Sequence, residues 1–129
     1  MSVTAVTLDD VRAFTLTLER SYEAVVRGRV KFRVGRIVYL AFSRDETLMG
    51  FAFPKEEREA LVASDPETFM FPKPGDMRYQ WAVVRLARID HEEMCELVLD
   101  AWGMVVPKKL FAARLAQFGP SAPGVGDVR

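Results

Sequence analysis

The apolar positions of this chain change period several times, and each change marks an element. Leu8, Val11, Phe14 and Leu18 recur at helical spacing. Thr7 can cap that helix, and Asp9 and Asp10 put negative charge in its first turn, where the dipole favours it. From Ala24 the period falls to two. Val26, Gly28, Val30, Phe32 and Val34 alternate with Arg27, Arg29, Lys31 and Arg33, which predicts one strand with an apolar and a cationic face. Gly35 supplies a turn. Arg36–Ser43 follows as a second strand, apolar on both faces and therefore central in its sheet. Arg44-Asp45-Glu46-Thr47 reads as a hairpin loop. Leu48–Phe53 is a third strand, with Met49, Phe51 and Phe53 on one face.

Pro54 stops that strand. Lys55–Ser64, rich in helix formers and opening on Glu56 and Glu57, predicts a short helix that Asp65-Pro66 ends. Phe69–Phe71 is a candidate short strand, Pro72–Asp76 a loop, and Arg78–Arg88 a β run around Trp81, Val83 and Val84. Asp90 and Glu93 form a capping-box pattern before Met94, Leu97, Val98, Ala101 and Trp102, with Gly103 in the place of a C-terminal cap. Pro107 opens a last helix carrying Leu110, Phe111, Leu115 and Phe118. Short connections favour antiparallel neighbours. The expected fold is α+β, a two-layer sandwich with an antiparallel sheet and helices mainly on one face.

With 129 residues, half of them hydrophobic, the chain has the material for one core and one domain, expected over 1–118. Residues 119–129 hold three Gly and two Pro with little to bury, and read as a disordered tail. No apolar run of about 18 residues exists, so no membrane span is expected. The first ten residues lack the pattern of a secretory leader, and a single cysteine, Cys95, permits no internal disulfide. A cytoplasmic location follows as the expectation.

Eighteen basic residues balance eighteen acidic ones, so only their distribution informs. Arg20 to Arg44 holds seven basic residues against one acid, Glu23. Alternate cations on a strand stand roughly 6.5–7 Å apart on one face, a spacing comparable to that of phosphates along a nucleic-acid strand. Arg27, Arg29, Lys31, Arg33 and Arg36 are therefore candidate nucleic-acid contacts, each positioning a backbone phosphate with low sequence preference. Lys108 and Lys109 add to them: cations in a helix's first turn oppose the dipole, which invites an external anion. Arg114 could flank the footprint. The plainer reading is a solvated edge strand whose charges deter aggregation or pair with acids of the short helix. Trp81, Tyr79 and Tyr39 are possible stacking surfaces for bases, but Trp81, among Val83 and Val84, is expected in the core and Tyr79 on the surface.

Catalytic and metal chemistry find little support. His91 and Cys95 stand i, i+4 on one helix, yet a structural zinc site needs four ligands and no other His or Cys exists. His91 and Cys95 have no evident third orienting group, and no phosphate-cradling glycine motif occurs. Neither an enzyme nor a cofactor is expected. The competing class is a protein-interaction or small-ligand module. Asp45–Asp76 carries eight acids against three bases and could meet the cationic strand of a neighbour, so a monomer or weak charge-driven dimer is expected.

The order of several segments also resembles the MmcQ/YjbR-like family. Ser21-Tyr22-Glu23 precedes Phe32-Arg33-Val34-Gly35-Arg36-Ile37-Val38-Tyr39-Leu40-Ala41. Glu57-Arg58, Leu61, Asp65-Pro66-Glu67 and Phe69 follow, then Trp81-Ala82-Val83, Leu86, Asp90, Ala101-Trp102 and Pro107-Lys108-Lys109-Leu110. Gln80 stands where members often have histidine, and Ala101-Trp102 where Ser-Tyr is frequent. The resemblance implies a small α+β fold of frataxin-like topology and DNA binding, the latter by fold analogy.

Overall fold

The structure, a computed structural model, describes residues 5–118; the tail expected over 119–129 lies outside the described residues. Helix α1 (Leu8–Thr15) opens on a full capping box: Thr7 Oγ1 accepts from Asp10 N at 3.2 Å, and the Asp10 carboxylate accepts from Thr7 N at 2.9 Å. Six strands follow: β1 (Ser21–Val26), β2 (Arg29–Val34), β3 (Ile37–Phe42), β4 (Leu48–Ala52), β5 (Phe69–Met70) and β6 (Trp81–Arg85). They form one sheet of order β1-β2-β3-β4-β6-β5 with every neighbouring pair antiparallel. Helix α2 (Lys55–Ser64) lies between β4 and β5 in sequence; α3 (His91–Gly103) and α4 (Lys108–Phe118) end the chain.

The strand expected from Ala24 to Val34 is instead a hairpin. Val26 pairs with Arg29 across a two-residue turn in which Arg27 and Gly28 both have positive φ, +56° and +78°. That turn twists with the strands it joins, but it normally announces itself by Asn-Gly or Asp-Gly. Here Arg27 occupies the first position, so the turn reads as unbroken alternation. Arg27 therefore leaves the cationic face and caps the end of the sheet. The hairpin also moves the edge: β1 is the outer strand and β2 is interior. The edge-protection reading of Arg29, Lys31 and Arg33 loses its premise.

One sheet face carries the core. Phe32, Leu40, Phe42, Met49, Phe51, Ala82 and Val84 are buried there with Val11 of α1 and Met94, Val98, Ala101 and Trp102 of α3. A bulge between β2 and β3 leaves Tyr39 opposite no partner, so Tyr39 and Leu40, adjacent in sequence, are both fully buried. The Tyr39 hydroxyl meets Ser21 Oγ at 2.5 Å, and Trp102 Nε1 donates to Glu19 O at 3.0 Å, so each buried aromatic keeps its polar atom satisfied. Glu93 and Asp90 cap α3 reciprocally, as the spacing predicts. Gly103 is the helix's last residue rather than its cap, which falls on Met104. Its missing Cβ serves a close approach: a Cβ there would stand 2.5 Å from the Phe111 ring of α4.

Candidate nucleic-acid interface

The opposite sheet face is open, and strand alternation decides what it presents. Arg29, Lys31 and Arg33 point there from β2, flanked by Val26, Ala24 and Tyr22 of β1. Lys31 pairs with Ala41, which pairs with Gly50, which pairs with Val83. The central strands thus present small residues at Ala41, Gly50 and Ala52, with Val38 and Leu48 outward beside them. Trp81 stands beyond them on β6, in register with Ala52. The result is a groove of two lobes, about 550 and 580 Å³, which share Arg29, Ala41, Lys73, Asp76 and Trp81. Arg44 and Ser43 border one lobe, and Lys31 and Tyr79 the other.

Trp81 is not a core residue, contrary to the expectation from its apolar neighbours. Its indole edge crosses Gly50: a Cβ on Gly50 would stand 2.6 Å from Nε1 and 2.7 Å from Cζ2. Trp81 Nε1 has no hydrogen-bond acceptor among the described residues. Tyr79 is exposed, with the Arg78 guanidinium 4.7 Å from its ring centroid, and Tyr39 is in the core.

The groove wall formed by residues 77–81 is held by an unexpected residue. Arg58 of α2 is buried, 6 % exposed, and it faces no carboxylate. It donates to three main-chain carbonyls instead: Met77 O at 2.6 Å, Trp81 O at 2.8 Å and Tyr79 O at 3.0 Å. A rigid fork of donors suits that task. Lys55 adds two bonds, its backbone N to Gln80 Oε1 at 2.6 Å and its Nζ to Arg78 O at 3.1 Å. Gln80 thereby anchors the wall to α2.

The cations of this face are not neutralised from within. Among the described residues the ion pairs are Arg12–Asp9, Arg12–Glu23 and Arg88–Glu67. None involves Arg27, Arg29, Lys31, Arg33, Arg36 or Arg44, and pairing with acids of α2 does not occur. Arg29 Nε donates to Phe42 O at 3.2 Å, which lays its side chain toward β3. Arg33 Nε is fully covered yet meets no acceptor. The groove also holds two acids. Asp45 is occupied by its own loop: the Ser43 hydroxyl, then Thr47, hold its carboxylate below the ordinary range. Asp76, whose backbone N donates to Lys73 O, lines both lobes. Glu92, Glu93 and Glu96 are exposed on α3, whose packed side faces the core.

Not every candidate joins this surface. Arg36 is exposed in the β2–β3 turn beside Gly35, clear of the groove lining. Lys108 and Lys109 are exposed in the first turn of α4 and line no part of the groove. Arg114 is engaged with α1, its guanidinium 5.8 Å from the Phe14 ring centroid and its Nη2 3.1 Å from Thr17 Oγ1. His91 Nδ1 and Cys95 Sγ approach to 3.7 Å, but no group of three metal-binding side chains occurs among the described residues. Burial pushes the Cys95 thiol up, away from a reactive thiolate. No described helix is long and apolar enough to cross a membrane.

Residues 16–104 match the family model described as YjbR. This chain belongs to the YjbR family. The matched span contains all the groove strands and Arg58, and it stops before Lys108 and Lys109. An uncharacterized protein of Mycobacterium bovis and one of Mycobacterium tuberculosis are each 40 % identical to this YjbR-family chain over 60 residues. The match covers 46 % of this chain and 46 % of each relative, so the chain aligns with less than half the length of the curated relatives it matches. A crystal structure of a Deinococcus radiodurans protein with domain DUF419 superposes with a TM-score of 0.69 at 21 % identity, covering 88 % of both chains. That likeness establishes the fold of the YjbR-family chain.

Proposed function

We propose that this YjbR-family protein is a non-enzymatic binding module that contacts nucleic-acid phosphates through the open face of its sheet. The observation that carries the reading is the row Arg29, Lys31 and Arg33 on an interior strand, unpaired with any acid among the described residues, with Arg29 and Lys31 lining the groove. An unpaired cation row on a rigid strand costs self-repulsion, which an external polyanion relieves. Arg44 and Lys73 extend the row along the groove, while Arg27 and Arg36 flank it at the two strand ends. Phosphate contacts fix position and carry no base information, so sequence preference is low. Lys108 and Lys109 belong to a secondary contact at most.

The test is fluorescence anisotropy of a labelled oligonucleotide with the intact protein, beside an Arg29/Lys31/Arg33→Ala variant. Three neutralised phosphates predict a loss of about 40-fold in affinity between 50 and 200 mM salt for a duplex and about 20-fold for a single strand. The variant should weaken binding and flatten that salt slope. Absence of binding at 50 mM salt with tens of micromolar protein, on the order of nonspecific dissociation constants, would reject the proposal.

A further inference from the structure

We propose that the slot over Ala41 takes an unpaired nucleobase between the Trp81 indole and the Arg29 side chain, so that the protein prefers single-stranded nucleic acid to duplex. This rests on the nucleic-acid reading above and adds the class of ligand. The slot is set by register. Lys31, Ala41 and Gly50 stand side by side on β2, β3 and β4, so the backbones flanking Ala41 are roughly 10 Å apart. From one side the indole edge of Trp81 reaches back over Gly50, which has no Cβ to prevent it. From the other, Arg29 reaches toward β3 through its bond to Phe42 O. Both side chains line both lobes of the groove with Ala41 at its floor. Aromatic rings and guanidinium planes are the two surfaces on which proteins stack splayed bases. Lys31 lines one lobe and Lys73 both, within reach of flanking phosphates.

Two features favour a single strand. The wall over residues 77–81 is fixed by the Arg58 fork and the Lys55–Gln80 bond, so the slot keeps its width. A duplex keeps its base faces stacked inside and can reach only the rim cations, leaving Trp81 without a partner. A single strand can satisfy the rim cations and the indole together.

The chain holds two tryptophans, and the other, Trp102, is 1 % exposed and bonded to Glu19 O, so fluorescence quenching by a bound base reports Trp81. The intact protein is titrated with oligo(dT) and, separately, with a hairpin duplex of equal phosphate number. The expected result is roughly tenfold or greater preference for oligo(dT), with tryptophan quenching by oligo(dT) alone. Trp81→Ala should lower oligo(dT) affinity about 5- to 100-fold and leave duplex affinity unchanged, while Trp81→Phe restores most of it without a quenching signal. Equal or tighter duplex binding, or oligo(dT) binding without quenching, overturns the single-strand inference. If the Arg29/Lys31/Arg33→Ala variant then weakens both ligands, the phosphate-contact reading stands alone. If neither ligand binds the intact protein, both fail.

Discussion

The Trp81 indole crosses the backbone of Gly50, in a space that a single methyl group would occupy: a Cβ on Gly50 would lie 2.6 Å from Nε1. The groove of this YjbR-family chain exists because the neighbouring strand yields at that point. Gly50 is buried and paired with both Ala41 and Val83, so it cannot retreat. Gly50→Ala should destabilise the fold by about 1–3 kcal/mol through overpacking and push the indole outward. Chemical denaturation gives the first quantity, and the tryptophan emission maximum, shifted to the red, gives the second. An unchanged spectrum would show that Trp81 does not rest on Gly50.

Gly103 and Phe111 make the same kind of contact between α3 and α4, with 2.5 Å from a Cβ at position 103 to the ring. Replacing glycine by alanine gains about 1 kcal/mol in a helix interior and less at a last residue such as Gly103, whereas overpacking costs about 1–3 kcal/mol. Gly103→Ala should therefore destabilise the native chain. In a Phe111→Ala background the clash is gone, and the same substitution should stabilise. That reversal of sign, read from a double-mutant cycle of unfolding free energies, isolates the contact.

Arg58 ties α2 to three carbonyls of the groove wall. Arg58→Met leaves those acceptors unmatched and should cost on the order of 3 kcal/mol. Arg58→Lys should recover little, because one ammonium cannot reproduce a planar fork that reaches three oxygens. Urea unfolding of both variants checks this; full recovery by lysine would mean that charge rather than geometry matters at this position.

Burial, opposed by the weaker effect of the Ser21 hydroxyl, pushes the Tyr39 phenol from 10.0 up to about 12. The neutral phenol is thus favoured in the folded chain. The stability it contributes is complete below pH 10 and is lost as pH rises from 10 toward 12, by roughly 2–3 kcal/mol in all. Tyr39→Phe should flatten this part of the stability–pH curve. The measurement is thermal unfolding across that window for both proteins.

Much of the fold was legible because local rules agreed. Thr7 with the first-turn acids Asp9 and Asp10, and Asp90 with Glu93, announced two helices, Lys55–Ser64 a third, and the two-sided apolar pattern of Arg36–Ser43 placed that strand inside the sheet. Arg27 hides a hairpin, because a turn that favours Asn or Gly carries arginine there and the alternation runs through it unbroken. Gly103 was misplaced because a glycine at a helix end suggests a cap, while here it makes room for a ring. The cationic row was visible in sequence, but its freedom from internal pairing is a tertiary property. Trp81 looked like core because Val83 and Val84 surround it; the isolated Gly50 within a strand was the available sign of a close approach. Arg58 gave no sign, since an arginine in an exposed-looking helix is ordinarily solvated.

The most direct test of the nucleic-acid face is residue-resolved. In a ¹⁵N-labelled sample of the intact protein titrated with oligo(dT), amide shifts should concentrate on Arg29–Arg33, Ala41 and Gly50, together with the side-chain indole NH of Trp81. The Trp102 indole and α3 should stay fixed. Shifts confined to α4 around Lys108 and Lys109, or none at saturating oligonucleotide, would contradict the account.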